Sequence, residues 1–183
     1  PIKDQSSFMN RRLFISVLFA CLLPLAVQAQ QGVFRFAHLT DIHLSPNNPN
    51  PTEDLLRSVA QINATDSIDF VLVTGDIAEE GDRATMQKVK SCLDLLKAKY
   101  YVALGNHETK WSDSGCTAFG EIFGGERFEF EHKGFLFLGF NSGPLMRMAY
   151  GHVVPQDIRW MKACMDRYNA GNPKLDKPVI LAT

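Results

Sequence analysis

Three short apolar runs, each closed abruptly by polar residues, set the frame of this chain. Val33 to Leu39 mixes β-branched and aromatic residues and gives way to Asp, Pro and Asn punctuation from Asp41 to Pro51, which predicts a strand feeding a loop. Asp69 to Thr74 is a near-continuous apolar run of the kind buried on both faces, closed by Gly75-Asp76. Tyr100 to Leu104 predicts a third strand, followed at once by Gly105-Asn106-His107-Glu108. Helical spacing fills the gaps. Leu55, Leu56, Val59 and Ile62 share one face behind Thr52 as N-cap, with Glu53 and Asp54 in the first turn. Val89, Leu93 and Leu96 repeat at helical intervals behind Asp82 as the second cap.

Strand, helix, strand, helix, strand implies crossover connections and a mainly parallel sheet covered by helices. Loops leaving adjacent parallel strands emerge side by side, so the three polar motifs gather at one sheet edge, where such folds bind ligands. Further along, Arg127 to His132 and Phe135 to Phe140 flank Lys133-Gly134 as a hairpin. A helix from Gln156 to Tyr168 and a strand from Val179 to Ala182 follow. No repeat, low-complexity tract or linker divides the chain.

The 183 residues suit one domain, and 45% apolar content with a net charge of −1 describes a globular chain with enough core to fold. A near-neutral balance without a Lys or Arg run gives no footprint for nucleic acid, while a small ligand needs only local charge. The first residues read as an export signal. Met9-Asn10-Arg11-Arg12 is a basic start, Leu13 to Val27 is apolar apart from Ser16, and Val27-Gln28-Ala29 offers a small-residue cleavage site. The apolar stretch, with Pro24 near its end, falls short of the ~20 residues a bilayer-crossing helix needs, so no stable membrane span is expected after signal removal. The organisation expected is therefore upstream residues 1–8, a signal peptide over 9–29 and one domain over 30–183, exported to the periplasm or the exterior. Arg11-Arg12-Leu13-Phe14-Ile15 also resembles a twin-arginine signal, and Leu18-Phe19-Ala20-Cys21 loosely a lipoprotein box, against which the apolar stretch beyond Cys21 argues. Cys92, Cys116 and Cys164 remain, without Cys-x-x-Cys spacing. One disulfide could form in an oxidising compartment, but Cys92 and Cys164 sit in helical patterns and read as core.

The strand ends carry the chemistry. Asp41 and His43 lie two apart, so in extended chain their side chains share a face and can grip one ion. A carboxylate with an imidazole suits zinc, iron or manganese better than calcium. Asp76 follows the second strand at the matching place, where its two oxygens can bridge two cations ~3.5–4 Å apart. Gly75 before it fits a sharp turn or close backbone approach. Asn106 offers a carbonyl oxygen to a second ion. His107 offers a proton for a leaving alkoxide or a charge to stabilise phosphorus oxygens, and Glu108 offers to orient that imidazole. Each motif alone also reads as an ordinary turn. Together they recur at the ends of successive strands, roughly 30 to 35 residues apart, a natural crossover length.

Asp41-x-His43, Gly75-Asp76 and Gly105-Asn106-His107-Glu108, in this order and spacing, resemble the calcineurin-like metallophosphoesterase superfamily, which includes the purple acid phosphatases. The resemblance runs from about Phe34 to Thr183. It implies a four-layer α/β/β/α sandwich of the metallo-dependent phosphatase type. It further implies two divalent or trivalent ions (zinc, iron or manganese), the first held by Asp41 and His43, the second joined by Asn106, with Asp76 bridging. His107 is the implied acid or charge stabiliser, and the implied reaction is attack of a metal-bound hydroxide on a small phosphomonoester or phosphodiester. The purple acid phosphatase branch places a Tyr ligand three residues after the bridging Asp. Position 79 here is Glu, so a tyrosinate-bound ferric centre is not expected.

Family members continue beyond a strand like Pro178 to Thr183 into a His ligand and later a Gly-His-x-His motif. The resemblance therefore implies a chain incomplete at its C-terminus, inactive as it stands and a hydrolase when completed. The competing expectation is a metal-binding member or scaffold that has lost catalysis. A secreted nuclease is disfavoured by the neutral charge. His38, His132 and His152 match no family ligand and read as ordinary histidines. Trp111 and Tyr150, in the loops Thr109 to Gly125 and Gly143 to Pro155, are expected to anchor those loops rather than to stack on substrate. Nothing in the pattern speaks to oligomeric state.

Overall fold

The computed structural model describes residues 33–143, 150–170 and 178–183. The expected signal peptide, the residues before it and part of the loop from Gly143 to Pro155 lie outside the described residues. The alternation of apolar runs builds two three-stranded sheets. In the first, β1 (Phe36–Thr40), β2 (Phe70–Thr74) and β3 (Lys99–Val102) are parallel and lie in sequence order, with Phe36 opposite Phe70 and Phe70 opposite Lys99. The second is mixed. Hairpin strands β4 (Phe128–His132) and β5 (Phe135–Gly139) are antiparallel, and β6 (Val179–Ala182) joins β5 in parallel.

Helices α1 (Asn50–Ala64), α2 (Arg83–Leu93) and α3 (Thr117–Phe123) cover one face of the first sheet. Leu55 and Val59 of α1, Met86, Val89 and Leu93 of α2 and Phe119 of α3 close a core over Val71, Val73 and Val102. Because strand side chains alternate, Phe36, Phe70 and Tyr101 point the other way, into an aromatic layer shared with the second sheet. Tyr101 stacks on Phe130 at 3.7 Å between centroids, Phe130 on Phe137 at 4.6 Å, and Phe70 meets Phe137 edge-on at 5.0 Å. Helix α4 (Pro155–Ala170) seals the far side, where Cys164 packs on Leu136 and Leu138. The order is helices, sheet, sheet, helix, the α/β/β/α sandwich expected, and β2 is buried along its whole length. Among the described residues no helix is long and apolar enough to cross a membrane.

The differences from expectation are local. Helix α1 starts at Asn50 rather than behind Thr52, because Pro49 and Pro51 have φ preset for a first turn and the Pro49 carbonyl receives the Thr52 and Glu53 N–H groups. Thr52 Oγ1 is left buried without a hydrogen-bond partner. Asp82 does cap α2, accepting the Thr85 N–H at 2.9 Å. That helix stops at Leu93, short of Leu96, which still packs against the core. Strand β1 begins three residues late, leaving Val33 96% exposed. Cys92, Cys116 and Cys164 are all free thiols, Cys92 and Cys164 buried as read. Burial pushes the Cys116 thiol up to about 12, which removes thiolate chemistry there.

Candidate metal centre

The carboxyl ends of β1, β2 and β3 lie side by side, and their outgoing loops are stitched together by main-chain hydrogen bonds. Asp41, His43 and Leu44 donate to the carbonyls of Thr74, Asp76 and Ile77 at 3.2, 3.0 and 3.0 Å. The first loop is not extended, contrary to the expectation that placed Asp41 and His43 on one face of a continuing strand. Both residues are left-handed, with φ of 52° and 47°. Such a conformation is uncommon outside glycine and clusters at functional sites. The two side chains nevertheless converge, because the hydrogen bonds to the β2 loop hold each turn in place.

Two glycines let the carboxylates enter. A methyl group on Gly75 would sit 2.7 Å from Asp41 Oδ1, and one on Gly105 would sit 2.1 Å from Asp76 Oδ1. Buried Asp76 accepts the His107 N–H on Oδ1 at 2.9 Å. Its Oδ2 faces two imidazoles, His43 Nε2 at 3.8 Å and His107 Nε2 at 3.7 Å, and Asp41 Oδ1 stands 4.0 Å from His43 Nε2. The rings of His43 and His107 lie 5.0 Å apart and nearly perpendicular, at 86°. These separations exceed hydrogen-bond length, so the groups do not satisfy one another by direct hydrogen bonds. Asp41, His43 and Asp76 form one group of donor atoms mutually within 4.8 Å, and His43, Glu79 and His107 form a second. Carboxylate oxygen with imidazole nitrogen is a donor set that fits zinc, iron or manganese.

Asn106 is exposed at the head of a π-helical turn, His107–Trp111, and its carbonyl accepts the Thr109 hydroxyl at 3.1 Å. His107 is partly buried beside Asp76. Glu108 departs from its expected role. Instead of reaching the His107 ring, it is fully buried, and its carboxylate collects the N–H groups of Ile77, Ala78 and Gly105 at 3.1, 2.9 and 2.9 Å. Burial outweighs those donors and holds its carboxyl above the ordinary range. The partner of His107 is the Glu79 carbonyl, which lies within hydrogen-bond reach of Nδ1. Glu79 is the residue that sequence reading missed, noting only that it is not Tyr. Its carboxylate meets His43 Nδ1 at 2.8 Å. The available signal was its place three residues past Asp76, in the same strand-end loop.

The other histidines stay apart from the cluster, as read: His38 pairs with Thr74 Oγ1 at 2.8 Å, His132 lies 3.2 Å from Asp69, and His152 borders a hollow with Arg127 and Asn141. Trp111 and Tyr150 are not anchors, being 56% and 81% exposed. The Trp111 ring lies 6.2 Å from that of His107.

A two-sheet sandwich with carboxylates and imidazoles converging at parallel strand ends defines a metallophosphoesterase-type fold and site. The chain belongs to the calcineurin-like phosphoesterase family, whose model matches residues 34–176. Membership implies metal cofactors. Among similar proteins, a probable cyclic nucleotide phosphodiesterase of Rhodopseudomonas palustris is 34% identical over 82 residues, 42% of this chain and 30% of that protein. A second protein of the same description, from Xenorhabdus bovienii, is 29% identical over 83 residues, 40% of this chain and 34% of its own length. The uncharacterized protein YvnB of Bacillus subtilis is 28% identical over 120 residues, 56% of this chain and 9% of its length. The chain thus spans about a third or less of each relative.

Proposed function

We propose that the chain carries part of the active site of a two-metal phosphoester hydrolase. In this reading Asp41 and His43 hold one ion, Asp76 bridges, and Asn106 contributes to the second. The observation that carries it is the convergence of His43 and His107 on Asp76, at 3.8 and 3.7 Å, with Asp41 4.0 Å from His43. Bound cations would supply charge neutralisation of the phosphoryl oxygens and activation of water. His107 acts from the chain itself. Its Nδ1 is engaged by the Glu79 carbonyl, so Nε2 is the nitrogen left to face a phosphoester. There a protonated ring donates to the leaving oxygen or offsets its developing charge. The names of two relatives favour a cyclic phosphodiester among the substrates to be tried. The basic start at Met9 and the apolar run to Val27 support export, with a mature chain beginning near Gln30.

The test is turnover of p-nitrophenyl phosphate, its bis ester and a 3′,5′-cyclic nucleotide by the intact protein, with and without chelator. Chelator-sensitive cleavage is expected, and His107→Ala should slow turnover ~100-fold or more while leaving metal content nearly unchanged. Full activity in that variant removes the proposed acid. Bound metal without turnover of any ester would instead identify a metal-binding scaffold. N-terminal sequencing of the exported protein checks the cleavage site.

A further inference from the structure

Both imidazoles of the centre are pinned at the same nitrogen by one residue. Glu79 Oε2 lies 2.8 Å from His43 Nδ1, and the Glu79 carbonyl is within hydrogen-bond reach of His107 Nδ1. Each ring consequently presents Nε2 to Asp76 Oδ2, at 3.8 and 3.7 Å. The main chain of Glu79 is itself fixed from two sides. Its N–H donates to the Leu44 carbonyl at 2.8 Å, which ties it to the loop that carries His43. Two residues on, Gly81 lies so close to the π-helical turn that a methyl group there would fall 2.2 Å from the His107 carbonyl oxygen.

A neutral imidazole that donates from Nδ1 carries its lone pair on Nε2, so the acceptor at Nδ1 decides which nitrogen can bind a cation. We infer that Glu79 is a positioning residue for both histidines, acting on His43 through its carboxylate and on His107 through its carbonyl. It sets the Nδ1–H tautomer of each ring and aims Nε2 at the Asp76 side. The carboxylate is not itself a ligand in this arrangement. It is spent on the nitrogen of His43 that faces away from Asp41 and Asp76. A cation shared by His43, Glu79 and His107 would have to compete with the hydrogen bond between the Glu79 carboxylate and His43 Nδ1. The tautomer assignment follows from geometry alone, and its consequence for metal affinity rests on the proposed function.

The two routes separate under mutation, because no side-chain change removes a carbonyl. In the intact, metal-stripped protein, 15N–1H correlation spectra at alkaline pH should show Nδ1–H for both rings. Glu79→Ala should shift His43 toward the Nε2–H form while His107 keeps Nδ1–H, and should weaken Mn2+ binding by ~10–100-fold. Glu79→Gln keeps an acceptor oxygen and should restore the His43 tautomer and most of the affinity, which a general loss of folding would not allow. An unchanged His43 tautomer in Glu79→Ala overturns the inference, and with weakened Mn2+ binding it would identify Glu79 as a ligand. A wild-type protein that binds no Mn2+ refutes the metal reading of the site, and the tautomer comparison still decides the role of Glu79.

Discussion

Gly105 and Asp76 touch so closely that no side chain fits between them: a methyl group on Gly105 would lie 2.1 Å from Asp76 Oδ1 and 2.6 Å from the Asp76 main-chain nitrogen. The glycine of the third motif is thus a steric requirement of the carboxylate in the second. Gly105→Ala is expected to push Asp76 off the point where His43 Nε2 and His107 Nε2 meet it. A displacement near 1 Å at such a centre costs ~100-fold in turnover, and overpacking a closed site costs ~1–3 kcal/mol in stability. Parallel measurement of metal content, kcat and the urea midpoint checks this. Unchanged values in all three would show that the loop yields freely.

Glu108 holds the second and third strand-end loops together from inside. Its carboxylate accepts N–H groups from Ile77, Ala78 and Gly105 in a fully buried position. Glu108→Ala strands those donors, and each buried unsatisfied donor costs ~1–3 kcal/mol, less than additively when neighbours relax together. A destabilisation of ~3 kcal/mol by chemical denaturation is expected. Glu108→Gln should fall between, because its amide can accept at one end only. A lowered kcat with unchanged stability would return Glu108 to the imidazole-orienting role.

What could be read from the sequence follows from what is local. Asp41, His43, Asp76, Asn106 and His107 stand out because each leaves the end of a strand that periodicity alone identifies, and the fully apolar β2 announces its burial on both faces. Asp82 as a cap needs only its neighbours. The rest depends on partners distant in sequence. Nothing at Asp41 or His43 signals a left-handed turn, since neither is glycine; the hydrogen bonds that their N–H groups donate to the Thr74 and Asp76 carbonyls impose it. Glu79 precedes another Glu in a loop and looks like a solvated charge until His43 is placed beside it. Glu108 follows a site histidine, which suggests a shared task, but one carboxylate oxygen is filled by the main chain of Ile77 and Ala78, far back in sequence, and the other by Gly105. Helix α3 carries a short apolar face, Ala118, Phe119, Ile122 and Phe123, but spans only seven residues, and the π-helical turn has no apolar period to announce it.

Asp69 supplies a pH dependence remote from the centre. The Arg35 N–H and the Lys133 ammonium hold its carboxyl down to about 2, against an ordinary value of 3.8. A depressed value in the folded state means that the unfolded chain binds the proton more readily, so the contribution is present above 3.8 and is lost as pH falls through about 2. The melting temperature of wild type should exceed that of Asp69→Asn above pH 3.8, and the gap should close on acidification toward 2. A gap independent of pH across this window would mean that the charge of Asp69 does not stabilise the fold.

Phe137 joins the two sheets and can be probed without touching the centre. It is 1% exposed, with Phe130 stacked at 4.6 Å, Phe70 edge-on at 5.0 Å, and Phe34 and Phe36 at 6.0 and 6.3 Å. Phe130 lies beside it in the second sheet, whereas Phe36 and Phe70 belong to the first, so the ring spans the interface that fixes one sheet over the other. Phe137→Ala leaves a cavity bounded by rigid rings that cannot collapse into it, and a cost of ~3–5 kcal/mol follows. Phe137→Leu keeps part of the volume and should cost less. The metal-site side chains lie in loops stitched to one another at the strand ends of the first sheet, so under folding conditions Mn2+ affinity should stay close to wild type in Phe137→Leu. A large fall in affinity with little loss of stability would mean that the second sheet positions the site, in place of the loop-to-loop hydrogen bonds that run from Asp41 and His43 to Thr74 and Asp76.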